Sequence, residues 1–142
     1  MSNFLKLRDG IQIYYLKDLV DNPKAIILIN HGFAEHSSRY DYVAKKFNDA
    51  NYSVYRYDLR GHGRTKSELG HIESFQDLID DANEMVDLIK KEHKNIPVFM
   101  LGHSMGGLIT ALYGIKYPKS ITGQVFSGAA LGYLPSVEGI KK

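Results

Sequence analysis

Apolar and polar positions alternate from Phe4 to Arg8, break at Asp9-Gly10, and resume as the β-like run Ile11 to Leu16, a pattern that predicts an antiparallel hairpin at the start of the chain. After the Asp21-Asn22-Pro23 break, Ala25 to Ile29 is continuously apolar, as a strand covered on both faces would be, so the sheet is expected to become buried and parallel. Tyr40, Val43, Ala44 and Phe47 mark one face of a helix ending near Asp49-Ala50-Asn51, and Ser53 to Asp58 reads as the next strand. Ser74 is a good N-cap with Asp77 three residues on, and the helix it opens carries Phe75, Leu78, Ile79, Ala82, Met85, Val86 and Ile89 on one stripe. Asp80, Asp81, Glu84, Lys90 and Lys91 lie off that stripe and read as a solvated face, acidic early and basic late as the helix dipole favours.

Pro97 to Leu101 is another short apolar run, followed by a helix on which Leu108, Ala111, Leu112 and Ile115 share one face, until Tyr117-Pro118 ends it. Ile121 to Ser127 predicts one more strand of the same sheet, and Gly128 to Pro135 is apolar and irregular. The alternation of strands and helices predicts an α/β fold: a mostly parallel sheet with an antiparallel N-terminal hairpin and helices on both faces.

Composition narrows the picture without adding chemistry. The 142 residues match one domain, and no repeat, low-complexity tract or linker divides them. Lys and Arg total 18 against 16 Asp and Glu with no long block of either sign, so no nucleic-acid partner is expected. The absence of cysteine excludes disulfides, thiolate catalysis and Cys-ligated metals. No run approaches the roughly 20 apolar residues of a membrane helix, and Met1 to Arg8 lacks an apolar signal core, so a soluble cytoplasmic protein is expected.

The chemistry concentrates at Gly102-His103-Ser104-Met105-Gly106-Gly107, which places a serine at the tip of a strand-to-helix turn. Such a turn strains the serine backbone and exposes its Oγ, and flanking side chains would collide where Gly102 and Gly106 sit. The helix that starts there points free N–H groups toward an oxyanion formed at the serine. Taken alone, Gly-x-Ser-x-Gly also fits an ordinary glycine-rich turn. Open α/β sheets bind ligands beyond the carboxyl ends of their strands, so the loops His31-Gly32-Phe33-Ala34-Glu35-His36 and Leu59-Arg60-Gly61-His62-Gly63-Arg64-Thr65-Lys66-Ser67 should share a crevice with Ser104. The His-Gly loop can lend the Phe33 N–H to an oxyanion hole, with the Met105 N–H as its partner. Loop hydrogen bonding suits His31 and His36 better than proton transfer, and Asp58, Arg60 and His62 read as braces of their loop.

His31 to Tyr40, Asp58-Leu59-Arg60-Gly61-His62-Gly63 and Gly102 to Gly107, in this order and spacing, resemble the monoacylglycerol lipase and lysophospholipase branch of the α/β-hydrolase superfamily, grouped with the serine aminopeptidase-like hydrolases. The resemblance runs from about Phe4 to about Leu134. It implies a serine ester hydrolase in which Ser104 is the nucleophile and Phe33 and Met105 supply oxyanion N–H groups. His31, Gly32, Gly102, Gly106 and His62 would support the site. His103 falls in the variable slot beside the nucleophile and is not the base. Acyl transfer to Ser104 and hydrolysis of the acyl-enzyme would need no cofactor and no metal. Loss of one oxyanion donor in such a site costs about 3–4 kcal/mol.

In this superfamily the order is nucleophile, acid, histidine. After Ser104 the sequence holds no histidine and no aspartate, and its one acid there is Glu138. Residues 1–142 are therefore expected to form the N-terminal half of an α/β-hydrolase core, ending about where a cap domain and the last strands would follow, and to be inactive or nearly so alone. The outer edge of the Ile121 to Ser127 strand would be unpaired, so the chain is expected to associate there, as a homo-oligomer or with a complementary C-terminal fragment, or to be a piece of a longer protein. The expected substrate is a small acyl ester or lipid-like ester. The alternative is a non-catalytic binding or assembly module on the same fold.

Overall fold

A computed structural model describes residues 2–66 and 74–128. A hairpin of β1 (Ser2–Lys6) and β2 (Gln12–Asp18) leads into β3 (Ile26–Asn30). A 3-10 turn at Ser37–Tyr40 runs into α1 (Asp41–Asp49), and β4 (Ser53–Tyr57), α2 (Phe75–Glu92), β5 (Val98–His103), α3 (Met105–Lys116) and β6 (Gly123–Ser127) follow. The six strands form one sheet in the order β1-β2-β4-β3-β5-β6. β1, β2 and β4 pair antiparallel, whereas β4, β3, β5 and β6 are parallel. This is the predicted α/β architecture with its antiparallel start.

Side chains alternate across the sheet as the pleat requires. Ile26, Leu28, Tyr55, Tyr57, Val98 and Met100 face a large core closed by the α2 stripe and by Ile109 and Tyr113 of α3. Ile27, Ile29, Val54 and Leu101 face a smaller core under Tyr40 and Ala44 at the start of α1. β3 is fully buried along its length, which explains its unbroken apolar sequence. The parallel register, Ile26 opposite both Ser53 and Val98, puts the carboxyl ends of β3, β4 and β5 side by side, and every loop of chemical interest leaves the sheet there.

Two expectations are corrected. Asp81 does not belong to a solvated face: it is 1% exposed and takes two hydrogen bonds from Arg60, at 3.0 and 2.8 Å, and one from Arg8, at 2.9 Å. Arg60 also reaches Asp9 at 2.6 Å, so one ion cluster joins the first hairpin turn, the β4 exit loop and α2. Asp81 lies beside Leu78 and Ala82 on α2, and a charge can occupy that inward position only because two guanidiniums from distant segments meet it. The buried face of α3 also differs from the expected one. Gly106, Gly107, Ile109, Thr110 and Tyr113 point inward, whereas Leu108, Ala111 and Leu112 are half-buried and Ile115 is 76% exposed. Before Lys116 this helix is uncharged all round, so no polar stripe marks its outer side. The stretch 129–135, Glu138 and Ser67 lie outside the described residues.

Candidate active site

β5 ends at His103 and α3 begins at Met105, leaving Ser104 alone at the turn with φ 55° and ψ −118°. A non-glycine residue there costs about 1–3 kcal/mol and persists only where its surroundings enforce it. The enforcement is steric and hydrogen-bonded. A Cβ at Gly106 would overlap the Asn30 carbonyl oxygen and lie 2.6 Å from that of His31, and one at Gly102 would overlap the Gly106 carbonyl and Thr110 Oγ1. The first turn of α3 thus rests directly on the end of β3. The Ser104 N–H donates to the Ser127 carbonyl at 3.2 Å, and its carbonyl accepts from Gly107 at 2.9 Å and Leu108 at 3.3 Å.

Beneath the turn runs a buried polar chain that sequence reasoning missed. The Tyr57 hydroxyl donates to Asn30 Oδ1, Asn30 Nδ2 donates to Thr110 Oγ1 at 2.9 Å, and Thr110 Oγ1 donates to the Gly106 carbonyl at 2.8 Å. Tyr57, Asn30 and Thr110 are all fully buried. The available signal was a polar Asn at the end of an otherwise apolar strand and a Thr one turn after the second elbow glycine.

The loop after β3 packs against the serine: a Cβ on Gly32 would stand 3.2 Å from both Ser104 Cβ and the His103 carbonyl oxygen. His31 is 1% exposed and has both ring nitrogens engaged. Leu59 N–H donates to Nε2 at 2.9 Å, which puts the proton on Nδ1, and Nδ1 donates to the Gly32 carbonyl at 2.8 Å. Burial pushes its pKa down to about 4, against the opposing pull of the Gly32 carbonyl. A neutral His31 of fixed tautomer stitches the β3 loop to the β4 loop and has no nitrogen left for Ser104. The Phe33 and Met105 N–H groups donate no hydrogen bond among the described residues.

Glu35, which sequence reasoning also passed over, closes the same loop. Its Oε1 accepts from Gly32 N–H and from the Tyr40 hydroxyl, each at 2.8 Å, and Arg39 Nε stands 3.4 Å from Oε2. Burial opposes its charge, but these donors outweigh it and hold the carboxyl below its usual value. Glu35, Arg39, Tyr40, Val43, Leu101, His103 and Ser127 line a cavity of about 240 Å³ alongside the serine turn.

The β4 exit loop is held by Asp58, 2% exposed, whose carboxylate accepts from Ser37 N–H at 2.6 Å and Arg64 N–H at 2.8 Å. Gly63, at φ 50°, leaves room for that carboxylate. His62 donates from Nδ1 to the Arg60 carbonyl at 3.1 Å and packs edge-on against Phe33 and His31. His103 donates from Nδ1 to the Ser127 carbonyl at 2.7 Å, and His36 is exposed ahead of the 3-10 turn. No hydrogen bond joins Ser104 Oγ to any group among the described residues, nor do these include a cluster of three His, Asp or Glu placed to hold a metal.

Comparison with known proteins identifies the family. The sequence profile described as Hydrolase_4, serine aminopeptidase S33, matches residues 21–142. The chain belongs to this family. Within its reach, a monoacylglycerol lipase of Mycolicibacterium smegmatis is 37% identical over 123 residues, 86% of this chain and 44% of that protein. Phospholipase YtpA of Bacillus subtilis is 40% identical over 79% of this chain and 43% of its own length. Among solved structures, a carboxyl esterase from Bacillus coagulans superimposes with a TM-score of 0.83 at 25% identity, covering 99% of this chain and 47% of that one. The monoacylglycerol lipase of Paleococcus ferrophilus gives 0.74 at 30% identity, with 84% and 44% covered. This chain therefore spans less than half the length of these family relatives.

Proposed function

We propose that this chain carries the nucleophile of a serine ester hydrolase, with Ser104 attacking and the Phe33 and Met105 N–H groups receiving the oxyanion. The carrying observation is the Ser104 backbone at φ 55°, a strained conformation braced by Gly102, Gly106 and the Asn30–Thr110 chain. In this reading Ser104 Oγ adds to the ester carbonyl carbon as its proton passes to a base. The alcohol leaves with a proton from that base, and water then hydrolyses the acyl-serine. The names of the two curated relatives support a monoacylglycerol or phospholipid-like ester as substrate.

We read residues 1–142 as the N-terminal half of the catalytic core, inactive or nearly so alone. Ser104 Oγ has no base among the described residues, and neither His nor Asp follows Ser104 in the sequence. Acid and base then come from outside these residues, supplied by further chain or a complementary C-terminal fragment adding strands at β6. That edge strand exposes Val125 and Phe126. A second copy pairing at β6 would cover the edge without supplying the base. The same missing base favours the second reading, a non-catalytic binding or assembly module.

A fluorophosphonate probe separates the two. Labelling that vanishes in Ser104→Ala supports the nucleophile, and labelling should rise when the C-terminal half of a relative is added. No labelling under either condition would sink the hydrolase reading.

A further inference from the structure

An oxyanion hole needs an N–H that points at the reacting carbonyl and is not already bonded, and a loop peptide can rotate away from that direction. We propose that Glu35 is a positioning residue that locks the Gly32–Phe33 peptide with the Phe33 N–H free and turned toward Ser104. The inference rests on the hydrolase reading above.

The peptide unit between Gly32 and Phe33 is trans, so its carbonyl and its N–H point in opposite directions. The Gly32 carbonyl accepts from His31 Nδ1 at 2.8 Å and from the Glu35 backbone N–H at 3.2 Å. Fixing the carbonyl therefore fixes the Phe33 N–H. The Glu35 carboxylate then captures the preceding donor, Gly32 N–H, at 2.8 Å, so that of two successive N–H groups only the second is left for a ligand. Ala34 takes φ 62° to let the chain fold back and deliver Glu35 to this position. That conformation is uncommon for alanine and is tolerated because both ends of the turn are bonded.

A carboxylate beside an oxyanion would oppose catalysis unless its charge were occupied. Glu35 meets that condition: Tyr40 and Gly32 donate to Oε1 and Arg39 lies 3.4 Å from Oε2, while His103 is the further titratable group facing it from the end of β5. Glu35 Oε1 thus spends its acceptor capacity on the loop, and Arg39 stands against the charge at Oε2.

The test uses the full chain. Amide exchange of Gly32, followed by NMR, should accelerate about tenfold or more in Glu35→Ala, because a hydrogen bond to a charged acceptor is lost, and Glu35→Gln, which keeps an acceptor oxygen, should recover part of the protection. The Gly32 amide shift of the wild type should titrate with a midpoint below the ordinary glutamate value and should not titrate in Glu35→Gln. Phosphonate labelling of Ser104, measured with the relative's C-terminal half present, should slow in the order wild type, Gln, Ala, with unchanged melting in Gln. Unaltered Gly32 exchange, or altered exchange with unaltered labelling, in a folded Glu35→Ala, or in Glu35→Gln if the alanine variant does not fold, would overturn the proposal. A wild-type chain that never labels would instead refute Ser104 as nucleophile, and the Gly32 amide would still decide whether the Glu35 carboxylate holds the Gly32 N–H, the hydrogen bond through which it acts on the loop.

Discussion

Replacing Thr110 by Val tests whether the polar chain under the serine turn holds α3 in place. Valine copies the shape of threonine and exchanges one hydroxyl for a methyl group. The hydroxyl lost is fully buried, accepts from Asn30 Nδ2 at 2.9 Å and donates to the Gly106 carbonyl at 2.8 Å. The Gly106 carbonyl faces its ordinary helical N–H in any case, so the larger loss falls on Asn30, whose buried amide loses this acceptor. An unsatisfied buried donor costs about 1–3 kcal/mol, and a methyl carbon cannot approach nitrogen or oxygen as closely as the hydroxyl did. A destabilisation of about 2 kcal/mol follows, which raises the unfolded fraction roughly 30-fold. The assay is urea denaturation with a double-mutant cycle against Asn30→Ala. Thr110→Val should lower the midpoint without altering the slope, and its cost should shrink by at least about 1 kcal/mol when Asn30 is already alanine. Additive losses, or a Thr110→Val midpoint within error of the wild type, would refute the reasoning.

Stability should also follow the His31 titration. Burial lowers its pKa from 6.5 to about 4, so between these values the unfolded chain binds a proton that the folded chain does not, and stability falls as pH drops through this window. The loss amounts to about 3 kcal/mol by pH 4, and urea midpoints from pH 7 to 4 should decline more steeply in the wild type than in His31→Asn. At Ser104 the strain at φ 55° predicts that Ser104→Gly raises stability by about 1 kcal/mol after the entropic cost of glycine, while ending phosphonate labelling; thermal melts that show a loss of stability would contradict a strained serine.

Much of the fold was legible because it rests on local rules. Period-2 and continuous apolar runs located each of the six strands, and Ser74 with the Phe75 to Ile89 stripe located α2 and its buried face. The elbow was legible for the same reason. A serine between Gly102 and Gly106 at a strand-to-helix junction leaves the chain few conformations, and Ser104 takes the strained one. A charged side chain carries no such local mark of its partner. Asp81 shares the acidic stretch of α2 with Asp80 and Glu84, and only Arg60 and Arg8, brought in from another loop and the first hairpin, make it a buried residue. α3 was misjudged because an apolar helix offers two plausible faces, and the approach of Gly106 to the end of β3 chooses between them.

The sequence by itself determined the order of strands and helices, the parallel character of the sheet and the serine at its turn, since each follows from periodicity and glycine sterics within a few residues. Tertiary structure alone decided what surrounds that serine: that His31 is locked at both nitrogens, that Glu35 occupies the Gly32 N–H, that Asn30 and Thr110 join beneath it, and that no described histidine bonds its Oγ. These are contacts between segments far apart in the chain or between one side chain and the backbone of a folded loop. They exist only once the packing of β3, β4, β5 and α3 has set which groups meet, because hydrogen bonds require distances and directions that no spacing along the chain specifies.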